Sequence, residues 1–279
     1  MKQLIVGIDI GASTTKAVAM EKSRIIGLRS ARNMDVSMSA QSVLETVLLA
    51  AGRKREDVSQ VAVSGVGARL IGDVLRGLPT VKVDEIRAIG LGGLELSGRK
   101  QALVVSMGTG SALVVALEGG KKIVHIGGTG VGGGTIEGLS RRMLNIDKFD
   151  QVEEMATRGN PNNVDLTVAD IAEGGVGIIP KDATASNFKK LNDGSDKNDV
   201  AAAIFNMVSQ VIGVIAVMAS KAHHLEEDIV LVGRLIQSRK IAEMMSNVAR
   251  IFQIEFCIPK NGEYCVAIGA AKSVILRSL

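Results

Sequence analysis

The chain has 279 residues, 46% hydrophobic, 22% charged and only 2% aromatic, which is enough for one large domain or two ordinary ones around an aliphatic core. Its 33 basic and 29 acidic residues leave a net charge of +4. The basic residues are scattered and aromatic platforms are lacking, which argues against a nucleic-acid groove, and no run reaches the roughly 18 apolar residues of a membrane span.

In chain order, the apolar run at 4–8 reads as a strand, followed by strands at 16–22 and 24–31 joined by tight turns into an antiparallel meander. The spacing predicts a helix over 39–52, with Ser37 or Ser39 as its cap and Gly52 as its stop. A buried strand over 60–67 leaves through glycines, and 85–96 is helix-like but weakened by three glycines. The pattern then restarts. Residues 100–128 read as strand, glycine turn, strand, Gly-Gly turn and strand, and a helix opens from glycines over 132–145. A short helix is expected over 164–174. A long helix over 199–224 is apolar on nearly every face and should be buried. A strand at 228–235, an amphipathic helix at 238–252, a last strand at 254–259 and a last helix at 265–275 complete the chain.

The two halves therefore open alike, which predicts an α/β chain of two lobes, residues 1–98 and 99–279. Each lobe presents a hydroxyl- and glycine-rich hairpin to the other. The start, Met-Lys-Gln running straight into a strand, has no signal-peptide pattern. The two cysteines, Cys257 and Cys265, have neither zinc nor redox spacing. The expected location is cytoplasmic.

The first hairpin, Gly11, Ala12, Ser13, Thr14, Thr15 and Lys16, offers turn amides and hydroxyls that suit an anion nest. Asp9 stands beside it, placed for Mg²⁺, which keeps waters and takes few carboxylates. Alone, this turn fits a phosphate cradle and a plain hairpin equally well. No G-x-x-x-x-G-K-[ST] occurs, so it is not a P-loop. The second hairpin, Gly108, Thr109, Gly110 and Ser111, offers the same chemistry, and two such turns at matching places favour a ligand. The glycine loop with Gly132, Gly133 and Gly134 leads into a helix and could let a phosphate approach its N-terminus. Asp84 and Glu85 read locally as a helix cap and a first-turn acid, although a carboxylate here could also serve as a general base. His125 ends a strand beside the glycine loop. Gly233 and Arg234 follow a strand end, where ligands of α/β sheets bind.

These segments, "GIDIGASTTK", "DEIRAIGLG", "MGTGSA", "GGTGVGGGTIEGL", "NNVDLTVADI", "DATASNFKKL", "DIVLVGRL" and "GEYCVAIGAA", resemble the acetate and sugar kinase, heat-shock-cognate and actin superfamily. More closely, they resemble type II pantothenate kinases over nearly the whole chain. The resemblance implies two ribonuclease-H-like lobes with an interlobe ATP cleft, the actin-like ATPase fold. It implies ATP- and Mg²⁺-dependent phosphorylation of the primary hydroxyl of pantothenate, in coenzyme A biosynthesis. Glu85 falls on the family's catalytic carboxylate and Asp9 on its metal-associated acid. Residues 11–16 fall on the first phosphate loop and Gly108, Thr109, Gly110 and Ser111 on the second. The ATP-facing set is completed by Gly132 to Gly134, Gly233 and Arg234, and Thr109, Ser111 and His125 are expected at the acceptor.

The family usually has an arginine where this chain has His125 and a serine where it has Ala112. A protonated His can accompany a carboxylate but lacks the guanidinium fork. A kinase for another hydroxyl compound, and an ATP-driven activator or actin-like switch, are the alternatives. A homodimer and regulation by coenzyme A or its acyl thioesters are further expectations from the family.

Overall fold

β1 (Leu4–Ile10), β2 (Thr14–Glu21) and β3 (Arg24–Arg32) form an antiparallel meander in a computed structural model that describes residues 4–33, 35–172, 177 and 180–277. β1 is buried at every position, hence its unbroken apolar run in place of an alternation. α1 (Val36–Ala51) crosses over the sheet, and β4 (Val58–Ser64) enters parallel to β1. β5 (Val74–Leu75) and β6 (Leu78–Lys82) complete the order β3-β2-β1-β4-β6-β5. On one face of this sheet, Val43, Leu44 and Val47 of α1 pack with Val6, Ile8 and Ala17. The cap of α1 is Asp35, not Ser37 or Ser39: its Oδ1 accepts from Met38 N–H at 2.8 Å. Gly52 ends α1 in the left-handed conformation, as expected.

α2 (Glu85–Ser97) leads to a second meander, β7 (Ala102–Met107), β8 (Ser111–Leu117) and β9 (Lys122–Thr129). α3 (Gly133–Leu144) and α4 (Phe149–Arg158) follow. The short pair β10 (Leu166–Thr167) and β11 (Thr184–Ser186) precedes α5 (Lys197–His223). β12 (Ile229–Val232) then lies parallel to β7, giving the order β12-β7-β8-β9. That order repeats β4-β1-β2-β3. α5 is long and apolar enough to cross a membrane, yet 72% of its most apolar window is buried in the protein. Its Ile204, Phe205 and Val208 fill the core beneath Leu103, Val105 and Leu113.

α6 (Arg239–Phe252) runs alongside α5, and α7 (Cys265–Arg277) returns to the first sheet, where Ala267, Ala270 and Ala271 pack with Ile5 and Val18. α2 lies against α7 and also reaches Val104 and Val114 of the second sheet. The glycines that weaken α2 by propensity have a packing reason. A Cβ on Gly92 would stand 2.0 Å from the Cys265 carbonyl oxygen, and one on Gly269 only 1.8 Å from that of Ala88. The two helices thus touch backbone to backbone. Gly269→Ala is expected to lower unfolding stability by about 3 kcal/mol through overpacking, read as a fall in the urea midpoint.

Two expected elements are absent. Over 164–174 the described residues form β10 and a single 3-10 turn, not a helix; residues 173 and 174 lie outside the described set. Asp170 Oδ2 accepts from Thr167 N–H at 2.7 Å and caps that one turn, but Val168 and Ala169 N–H donate to the Ala183 and Lys181 carbonyls at 2.9 and 2.8 Å, so no helix can begin at 164. Over 254–259 there is one bridge, between Val230 and Cys257, and no strand. Pro259 has no N–H to extend the ladder, and β12 stops at Val232 because Gly233 turns with φ +99°. The buried strand read over 60–67 likewise ends at Ser64, where Gly65 takes φ +87°.

Candidate functional site

Both hairpin turns open on one cavity of about 660 Å³ between the two sheets. From the first sheet it takes Asp9, Gly11, Ala12, Ser13, Thr14 and Lys16, and from the second Gly108, Thr109, Gly110 and Ser111. Glu85, in the first turn of α2, lines it from the side of β6, and Gly233 and Arg234 line it from the end of β12.

The two turns leave donors free. Among the described residues, Ala12 and Ser13 N–H have no protein acceptor, nor do Thr109 and Gly110 N–H. Each turn is braced from within, by Gly11 N–H to the Thr14 carbonyl at 3.1 Å and by Gly108 N–H to the Gly110 carbonyl at 2.9 Å. Unbonded consecutive amides in a turn form a concavity for anions.

Asp9 is 8% exposed, and its nearest cation is Lys16 Nζ at 4.0 Å. Burial lifts its carboxyl to about 6; Lys16 pulls it down and the Glu85 charge adds to the rise. The chain after β4 crowds this group, since a Cβ on Gly65 would stand 2.6 Å from Asp9 Oδ1. A buried carboxylate short of donors suits a cation. No cluster of three or more His, Cys, Asp or Glu able to hold a metal occurs among the described residues. The donor set therefore fits Mg²⁺ held through Asp9, waters and phosphate oxygens, and not an ion caged by protein ligands.

Glu85 is accessible from the cleft, and protein atoms around it raise its carboxyl, with the Asp84 charge adding to the shift. Asp84 is the N-cap of α2, its Oδ1 accepting from Arg87 N–H at 2.9 Å. The local reading of Asp84 holds. Glu85, its neighbour, faces the cavity.

The model of the family described as Fumble matches residues 101–271. The chain belongs to the Fumble family. Among curated relatives, the type II pantothenate kinase of Bacillus cereus (strain G9842) is 25% identical over 275 residues, 95% of this chain and 96% of that protein. The type II pantothenate kinase of Staphylococcus epidermidis is 25% identical over 276 residues, 95% and 98% of the two chains. Among solved structures, component A of the Acidaminococcus fermentans (R)-2-hydroxyglutaryl-CoA dehydratase superposes with TM-score 0.72 at 17% identity, covering 99% of each chain. The ROK hexokinase of Thermus thermophilus superposes with TM-score 0.62 at 14% identity, covering 99% of this chain and 100% of that one. These likenesses show a two-lobe actin-like ATPase fold.

In this Fumble chain three expected site residues stand away from the cavity. Thr15 is fully buried and donates its hydroxyl to Asn33 Oδ1 at 2.5 Å. Gly132 packs against the second turn, where a Cβ would meet the Thr109 carbonyl oxygen at 2.6 Å. His125 is exposed on β9, opposite Val114, and the register shift between Leu113 and Val114 places it on the sheet face of Ala112. Gly133 and Gly134 do line the cavity, but their N–H groups donate to the Gly108 and Thr109 carbonyls, each at 2.9 Å. The glycine block fastens α3 to the second turn and does not leave those helix amides open.

α4 contributes Phe149, Asp150 and Glu153 to the wall, and none of these was expected. The recurrence of Phe149, Val152 and Ala156 at helical spacing was the available signal. Glu153 Oε1 accepts from the Ser238 hydroxyl at 2.7 Å, tying α4 to the cap of α6 beside Arg234.

Proposed function

We propose that this chain is an ATP-dependent kinase that transfers the γ-phosphoryl group to the primary hydroxyl of pantothenate. Membership of the Fumble family and curated relatives named type II pantothenate kinase support the reading. The observation that carries it is the placing of Glu85 and Asp9 on one cavity with the free amides of two turns from two sheets.

ATP, when bound, supplies the phosphoryl group and Mg²⁺ offsets its charge. The amides of Ala12 and Ser13 on one side, and of Thr109 and Gly110 on the other, hold the phosphates. Lys16 adds a cation and Asp9 holds the metal. Glu85 accepts the proton of the acceptor hydroxyl as it attacks. Its carboxyl, raised by the surrounding protein and by Asp84, is a better base than an ordinary glutamate. The nucleoside lies toward Gly233, Arg234 and α4. The acceptor extends from Glu85 past Ser111 and Ala112 along the face that carries His125. The lobes of this account are residues 1–98 and 99–279, with α7 returning to the first sheet, and the enzyme works in the cytoplasm.

Acceptor-dependent ADP release should be measured across pantothenate, pantetheine and unrelated primary alcohols. Saturable turnover with pantothenate is expected. Turnover with another alcohol alone would move the assignment to a different acceptor, as His125 and Ala112 would favour. ADP release that ignores every acceptor would point to an ATP-driven switch.

A further inference from the structure

The turn between β1 and β2 is held open by a residue outside it. In a two-residue hairpin loop such as Gly11-Ala12-Ser13-Thr14, the first carbonyl ordinarily accepts from the fourth N–H. Gly11 N–H does donate to the Thr14 carbonyl at 3.1 Å, but the reciprocal bond is absent among the described residues. The Gly11 carbonyl accepts instead from Asn33 Nδ2 at 2.5 Å. Asn33 also donates its backbone N–H to the Ser13 carbonyl at 3.0 Å, and its Oδ1 accepts from the buried Thr15 hydroxyl at 2.5 Å.

Peptide planarity gives this arrangement a consequence. In a trans peptide the C=O and the following N–H point in opposite directions. A Gly11 carbonyl turned toward Asn33 therefore turns Ala12 N–H away from it, and a Ser13 carbonyl turned toward the end of β3 turns Thr14 N–H away likewise. Ala12, Ser13 and Thr14 line the cavity, whereas Asn33 does not. Among the described residues, no protein acceptor takes the N–H of Ala12 or Ser13.

We propose that Asn33 is a positioning residue that locks the 11–12 and 13–14 peptide planes, so that the first turn shows N–H donors and not carbonyl oxygens to a bound triphosphate. The proposal rests on the ATP reading above. Gly11 is the weak point that makes a lock necessary, because glycine crosses between backbone regions with little steric cost. Released from Asn33, the 11–12 peptide can flip and present a carbonyl oxygen where a donor stood, which reverses the sign of the local field at a phosphate.

The test uses the full chain with MgATP. In Asn33→Ala, Kd and KM for ATP should rise roughly ten- to hundredfold, the range for losing a hydrogen bond to a charged group, while KM for the acceptor stays as in the wild type. A lowered melting temperature with ATP affinity unchanged would mark a merely structural residue and overturn the proposal. Should Asn33→Ala fail to fold, hydrogen exchange on the wild type decides. A non-hydrolysable ATP analogue should slow exchange at Ala12 N–H, and equal exchange with and without a bound analogue would overturn the lock. A wild type that binds no ATP would overturn the ATP reading itself, a result distinct from either of these.

Discussion

Asp9→Asn is expected to abolish phosphoryl transfer and, at the same time, to make the free protein more stable. Both effects come from one fact. Asp9 is buried, its nearest cation among the described residues is Lys16 at 4.0 Å, and burial lifts its carboxyl to about 6 from an ordinary 3.8. Between those values the folded chain holds a proton that the unfolded chain has released, so stability falls as pH rises through the window. Above about 6 the folded protein carries the full cost of a buried charge. A shift of this size corresponds to roughly 3 kcal/mol at pH 7, an upper bound. The amide removes that cost but leaves Lys16 without its partner. The expected net gain is about 1 to 2 kcal/mol at pH 7 to 8, fading toward pH 4, where Asp9 is protonated in the folded wild type. Urea unfolding of the wild type and Asp9→Asn at pH 8 and pH 4, without nucleotide, checks it. The wild type should also gain more from MgATP than the variant does, because bound metal would neutralise the charge that the amide lacks. Equal stability of the two proteins at pH 8 would show that Asp9 carries no such strain.

Glu85→Gln is expected to lower kcat by roughly 10²- to 10⁴-fold, the usual worth of a general base, with KM for ATP little changed. The glutamine keeps the size of the side chain but cannot take the hydroxyl proton. The carboxyl of Glu85 is raised by the surrounding protein and next by Asp84, so the wild-type rate should fall on acidification at a pH above that of an ordinary glutamate. In the residual activity of the variant the limb that belongs to Glu85 should vanish, leaving only the one set by Asp9. Initial rates across pH, with the acceptor saturating, check both parts. Activity near the wild-type level would move the base elsewhere. Asp84 is a poor substitute, because its Oδ1 is bound to Arg87 N–H.

The parts of the site that lie within one hairpin were legible from residue order. Asp9, Gly11 and Lys16 stand within a single strand–turn–strand, and so do Gly108 and Ser111, so the turn chemistry sets their geometry. α5 was legible because its apolar positions surround the helix, and that pattern requires burial. Long-range bonds were not legible. Asn33 meets Gly11 and Thr15 across separations of 22 and 18 residues, and nothing local marks it. His125 was read as the end of a strand beside the glycine loop, but β9 runs on to Thr129 as the outer strand of its sheet, and His125 lies within it, away from the loop. The glycine block read as an open helix N-terminus, yet those glycines allow α3 to bond directly to the second turn. The strand expected over 254–259 failed for a similar reason. Its apolar residues were visible, but the short partner β12 and Pro259 were what limited pairing.

The central claim is that the cleft moves a phosphoryl group from ATP to the hydroxyl of pantothenate. Transfer of radiolabel from γ-labelled ATP to pantothenate tests it most directly, run with the wild type, Glu85→Gln and a chelator control. The account predicts labelled phosphopantothenate from the wild type, formed in step with ADP, and almost none from Glu85→Gln or with chelator. Label released only as inorganic phosphate, at a rate indifferent to pantothenate, would contradict it.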